Sequence, residues 1–141
     1  MFSINIPIWL ILLGLTIFSF IVSYVRAYID ERIIKKLWGK VKSLVHWTRG
    51  LITILIFVLI DLLVFKIEWK TLFIFSYQWF WYSFYFDIIL NRMRNLNDWY
   101  VGQTSTMDIM VRKTFGMNSG RIYGMIKIVF VIFSTIGIIK M

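Results

Sequence analysis

Residues 51–90 read LITILIFVLIDLLVFKIEWKTLFIFSYQWFWYSFYFDIIL. They form two apolar arms joined by a short turn that carries Lys66, Glu68 and Lys70. The arms read as membrane-crossing helices, the first once Thr48–Gly50 are added to it, and each holds one acid, Asp61 in the first and Asp87 in the second. A turn this short makes the arms antiparallel neighbours.

The whole chain supports a lipid setting. It has 141 residues, of which 60% are hydrophobic, and its mean hydropathy is +0.76. Ordinary soluble domains are roughly 45–50% apolar. A soluble fold of this size has too little interior to hide the excess. The length allows a single integral membrane domain over residues 1–141.

Outward from the hairpin, residues 6–25 form a first candidate span, with Pro7 in the first turn and Asn5 as a cap. No basic stretch precedes this span and no small-x-small cleavage pattern follows it, so it reads as uncleaved. The hairpin supplies spans at 48–65 and 71–90, and residues 123–139 form a fourth. Residues 26–47 and 91–122 are basic. In the first of these segments Ile29, Ile33, Leu37, Val41 and Leu44 recur at helical spacing among Lys and Arg, the pattern of an amphipathic helix that lies on the inner leaflet or extends the second span. In the second, Ser105 to Asp108 resembles a capping box that opens a short helix over Thr106–Phe115, stopped by Gly116. Met107, Met110, Val111 and Phe115 lie on or near one face of it. The expected fold is all-α, with four transmembrane helices and one or two amphipathic interfacial helices.

The net charge of +9 lies mainly between the spans. That placement favours anionic headgroups over nucleic acid as the partner of the basic side chains. The positive-inside rule puts both termini outside and the basic segments in the cytoplasm, in a bacterial inner membrane or a phage membrane. The sequence contains no cysteine, so disulfides and thiolate chemistry are absent. His46 is the one histidine and cannot make a metal site or a catalytic triad unaided.

An acid inside a span is a functional candidate by default. At a rise of about 1.5 Å per residue, Asp61 and Asp87 lie roughly 10 Å apart along the membrane normal. They cannot act as one carboxylate pair. Asp61 is expected to form a polar clamp with Gln78 and Tyr77, with Lys66 or Lys70 reaching in from the turn. Arg49, Asp87, Asn91 and Arg92 are expected to cluster as an anchor at the inner leaflet. Gly120-x-x-x-Gly124 permits close approach of another helix. The aromatic third span reads as packing and lipid contact.

Phe86 to Asp108, FDIILNRMRNLNDWYVGQTSTMD, resembles a pattern in uncharacterised small multispanning membrane proteins of Bacteroidota and their phages. There a span ends in Phe-Asp, followed by Leu-Asn, a basic residue, an aromatic pair and Gly-x-Thr-Ser/Ala-x-x-Asp. The matching positions are Phe86, Asp87, Leu90, Asn91, Arg94, Trp99, Tyr100, Gly102, Thr104, Ser105 and Asp108. Ile88 stands near where the pattern has a proline. The resemblance implies no known activity; it implies a phage or prophage origin.

The expected function is non-catalytic: a structural or assembly role as a homo-oligomer or in a larger membrane assembly, with no cofactor. The alternative is a pore former of holin or channel type. Its polar stripe on span three would be Ser76, Gln78, Ser83 and Asp87, which do not share one helical face cleanly.

Overall fold

The structure is a computed structural model that describes residues 7–34, 39–64, 69–101 and 106–140, without the side chains of 33–34, 39–47, 64 and 106–107. Every regular element among the described residues is helical. The elements are α1 (Ile8–Ile34), α2 (Gly39–Val64), α3 (Trp69–Met93), α4 (Thr106–Phe115), a 3₁₀ turn (Gly116–Asn118) and α5 (Ser119–Lys140). At 1.5 Å per residue, α1, α2, α3 and α5 are between about 33 and 40 Å long.

Two stretches are long and apolar enough to cross a membrane: Ile8–Arg32, with mean hydropathy 2.3, and Asp108–Lys140, with 2.2. The second contains the 3₁₀ turn, so α5 is its continuous part. By that measure the sequence expectation of four spans reduces to two. On α3, Trp, Tyr and Gln lower the hydropathy; on α2, side chains are described only over 48–63. The best windows of the two qualifying stretches have 17% and 28% of their residues buried. The core helix of a water-soluble protein is mostly buried.

Side-chain partners give the topology. Thr16 meets Tyr77, Ser19 meets Gln78 and Ser23 meets Tyr82, so α1 and α3 run parallel. Phe18 meets Phe57 and Asp30 meets Arg49, so α2 runs antiparallel to α1. Phe73 meets Phe133 and Asp87 meets Lys127, so α5 runs antiparallel to α3. The C-termini of α1 and α3 and the N-termini of α2 and α5 therefore share one end of the bundle.

The chain is centred on α3, and its main neighbours are α1 and α5. Its hairpin partner α2 packs against it much less. The emphasis that the sequence places on the 51–90 hairpin is corrected here. Small residues explain the difference: Ser19, Ser23 and Ala27 on α1 and Ser134 on α5 are buried, and Gly137 of α5 lies against the Phe73 ring of α3, so the helices approach closely. Among the described side chains of α2, those buried are Thr53, Phe57 and Asp61, one residue per turn.

The basic segment 26–47 lengthens the neighbouring helices, as one of its two sequence readings allows for the second span, and is not a separate interfacial helix. Helix α1 continues to Ile34 and α2 begins at Gly39. The Arg26–Asp30 ion pair spans one turn of α1 and supports this extension. The short helix at Thr106–Phe115 forms as its sequence suggests. Gly116 follows it with φ +56°, a conformation that glycine adopts without a Cβ clash. Ser105 of the capping box and Asn5 lie outside the described residues, as do Lys66 and Gly102.

An apolar core of Leu15, Ile74, Tyr77, Val131 and Ile138 fills the end near the start of α3. Phe57 is fully buried and meets Phe18 and Tyr82 edge-on. Toward the other end the interior turns polar, with Ser23, Arg26, Asp30, Asn91 and Lys127 buried.

Candidate functional site

The distribution of polarity differs from that of a water-soluble protein. Asp30 and Gln78 are 0% exposed, Asp61 1% and Lys127 3%. Leu63 is 84% exposed, and Leu51, Leu55 and Leu59 on the same helix each exceed half exposure. Burying a charge without a partner is costly, so each buried charge must find one.

Asp30, near the end of α1, accepts from Arg49 Nη1 of α2 at 3.0 Å and pairs with Arg26 Nε at 3.2 Å. This places two guanidinium groups on one carboxylate and ties α1 to α2. Asp87, on α3, pairs with Lys127 Nζ of α5, which also donates to the Ser83 carbonyl at 3.3 Å. The Tyr123 ring lies 4.1 Å from the same ammonium.

Asp61 and Gln78 join α2 to α3. Gln78 Nε2 donates to Asp61 Oδ1 at 2.8 Å. Tyr77 does not join this pair; its hydroxyl is 2.7 Å from the Thr16 hydroxyl on α1. Adjacent helical positions diverge by about 100°, which points Tyr77 at α1 when Gln78 points at α2.

Arg49, Asp87, Asn91 and Arg92 are not brought together. Arg49 bonds Asp30 and Asp87 bonds Lys127. Asn91 Nδ2 donates to the carbonyls of Asp98 and Tyr100, at 3.1 and 2.9 Å. Arg92 makes two 2.8 Å bonds to the Asp98 carboxylate. That two-pronged contact holds the Asp98 carboxyl below the usual carboxylate range and the Arg92 guanidinium above its own ordinary value. Asn91 and Arg92 therefore shape the exit from α3. Asn95 completes that exit at φ 56°, within the left-handed region that asparagine tolerates.

The glycine pair Gly120 and Gly124 receives a side chain instead of a second helix. Trp99 lies across both, with its backbone against Gly120 and its ring against Gly124. The Arg112 side chain secures the same loop by donating to the Val101 carbonyl at 3.0 Å.

Sequence reading missed Asp30 and Lys127. Each had a signal: Arg26-x-x-x-Asp30 is an i,i+4 pair, and Lys127 is a lone cation within an apolar run. His46 has no described side chain. Among the described residues no group of three His, Cys, Asp or Glu side chains is placed to hold a metal ion.

The chain matches no known protein family, no curated protein and no solved structure. The reading of its function therefore rests on the geometry above.

Proposed function

We propose that this chain is a non-catalytic, four-helix integral membrane protein with a structural or assembly role, in which α1, α2, α3 and α5 all cross the bilayer. One observation carries the reading: charged and amide side chains are buried beside the apolar core while leucine, isoleucine and phenylalanine cover the outside. In water that arrangement exposes apolar surface far beyond an ordinary patch. In lipid it costs nothing, and the internal ion pairs remove the charges from the hydrocarbon.

The shared end of the bundle carries Arg26, Arg32, Arg49, Arg92, Arg94, Arg112, Lys113 and Arg121. By the positive-inside rule this end faces the cytoplasm and meets anionic headgroups. Both termini then face outward. Of the long helices α2 has the least contact with the others among the described residues, so its outer face is where further copies or partners would pack.

The pore-forming alternative needs polar groups that face a channel. Ser19 and Ser23 donate instead to the carbonyls of Gln78 and Tyr82 on α3, and Gln78 bonds Asp61. These groups act as links between helices.

The sequence has no cysteine, so single cysteines report sidedness directly. In spheroplasts, Trp69→Cys is expected to react with a membrane-impermeant maleimide. Leu96→Cys and Asn118→Cys are expected to react only after permeabilisation. Equal reactivity at the two ends would overturn the topology. Dye release from liposomes that rises with protein dose would overturn the structural role in favour of a pore.

A further inference from the structure

The acids inside the helices differ in one respect. Asp30 faces Arg26 and Arg49, and Asp87 faces Lys127. Among the described residues Asp61 has no basic side chain beside it; its one polar partner is the Gln78 amide. Asp61 Oδ2 and Gln78 Oε1 are both buried with no hydrogen-bond partner among the described residues. These are the second oxygens of the two groups already joined by the Nε2–Oδ1 bond.

An ionised carboxylate and an amide make one such bond and leave two acceptor oxygens with nothing between them. A carboxylic acid and an amide make two bonds, because the acid O–H donates to the amide oxygen. One proton therefore supplies the missing donor, satisfies both oxygens and removes an uncompensated buried charge.

Among the described residues the surroundings offer no other source of positive charge. On α3, Tyr77 is engaged with Thr16 and Tyr82 packs on Phe57, while Lys70 stands two turns from Gln78. On α1 the Ser19 hydroxyl donates to the Gln78 backbone carbonyl and the Thr16 hydroxyl meets Tyr77. Arg49, on α2 itself, lies about 18 Å further along that helix and is held by Asp30. Lys127 is held by Asp87 on the α5 side of α3.

We propose that Asp61 and Gln78 form a proton-binding site between α2 and α3, with the proton on Asp61 Oδ2 and donated to Gln78 Oε1. The proton comes from bulk water and returns to it; no other bond changes. The site rests on the membrane reading, in which lipid surrounds it. Occupancy holds α2, the most loosely packed of the long helices, against α3.

Infrared spectroscopy tests this in vesicles of ether-linked phosphatidylcholine, which lack ester carbonyls. Flotation of the vesicles comes first. At pH 7, the spectrum of the wild type minus that of Asp61→Asn is expected to contain the C=O stretch of a protonated carboxylic acid. The band is expected to be the same in sodium and in choline chloride. Asparagine keeps the shape and offers N–H where the acid offered O–H, so this variant is expected to insert and fold. Wild-type protein carrying side-chain ¹³C-aspartate gives the same readout without a variant. Carboxylate stretches in place of the acid band would overturn the proposal. Carboxylate stretches that move when sodium replaces choline would overturn it in favour of a metal cation. Protein that fails to float refutes the membrane reading. Protein that floats and shows only carboxylate refutes the proton site alone.

Discussion

The Lys127 side chain is 4% exposed and its Asp87 partner 43% exposed, so the cation of this ion pair is buried and the anion is half open. The asymmetry sets the order of mutational effects. Asp87→Asn strands an ammonium in the interior and is expected to cost about 3–5 kcal/mol. Lys127→Met strands a carboxylate that is partly open and is expected to cost less. The double variant is expected to recover most of the loss, because neither charge is then left alone. Thermal unfolding in detergent across the four proteins measures the coupling. Additive losses would count against an energetic link between α3 and α5 at this point.

Trp99 makes Gly120 and Gly124 unequal. A Cβ at Gly120 meets the Trp99 backbone, while a Cβ at Gly124 meets the Trp99 ring at 2.5 Å. A ring can rotate away; a backbone must carry its loop with it. Gly120→Ala is therefore expected to be the more damaging change, in the range of about 1–3 kcal/mol typical of overpacking. If Gly124→Ala lowers the melting temperature more than Gly120→Ala, the loop is not held by its backbone contact.

Ser23 Oγ contacts the Ser19 carbonyl at 2.6 Å and the Tyr82 carbonyl at 2.9 Å. A side-chain bond of this kind between membrane helices is worth about 0.6 kcal/mol on average. Ser23→Ala is expected to change stability by no more than about 1 kcal/mol. Ser23→Leu forces α1 away from α3 and is expected to prevent the two helices from packing. Pairwise crosslinking of cysteines placed on α1 and α3 distinguishes the two variants. Equal crosslinking in both would show that close approach is not what the small residue provides.

Asp98 and Arg92 make a pH-dependent clasp at the exit from α3. The folded carboxyl titrates below its unfolded value. Its contribution is therefore present above the ordinary carboxylate range and lost as pH falls through the folded value. Arg92 is shifted upward and stays charged throughout that window. Arg92 is exposed and Asp98 partly so, and the effect is therefore local and weakened by salt. Hydrogen exchange over residues 91–101 is expected to be slower in the wild type than in Asp98→Asn at neutral pH and equal to it in acid. A difference that persists in acid would mean that Asp98 acts through something other than its charge.

The Asp61–Gln78 contact was legible in the sequence because a short turn sets the register of antiparallel neighbours. Asp87 and Lys127 are 40 positions apart, and no local rule fixes how α5 docks on α3. The expected cluster of Arg49 and Asp87 failed for the same reason. Arg49 lies on the face of α2 that meets α1, where Asp30 waits. The glycine pair announced a close approach, but nothing local revealed that Trp99 would make it.

The sequence alone determined that the chain is helical, where its apolar stretches lie, and that Gly116 ends the short helix. These follow from backbone hydrogen bonding within a few residues and from side-chain hydrophobicity, which act locally. Only the tertiary structure decided that α3 is central, that α2 is its lesser partner, and which cation meets which acid. Those outcomes depend on the rotation and depth of each helix against its neighbours, and small residues far apart in the chain set both.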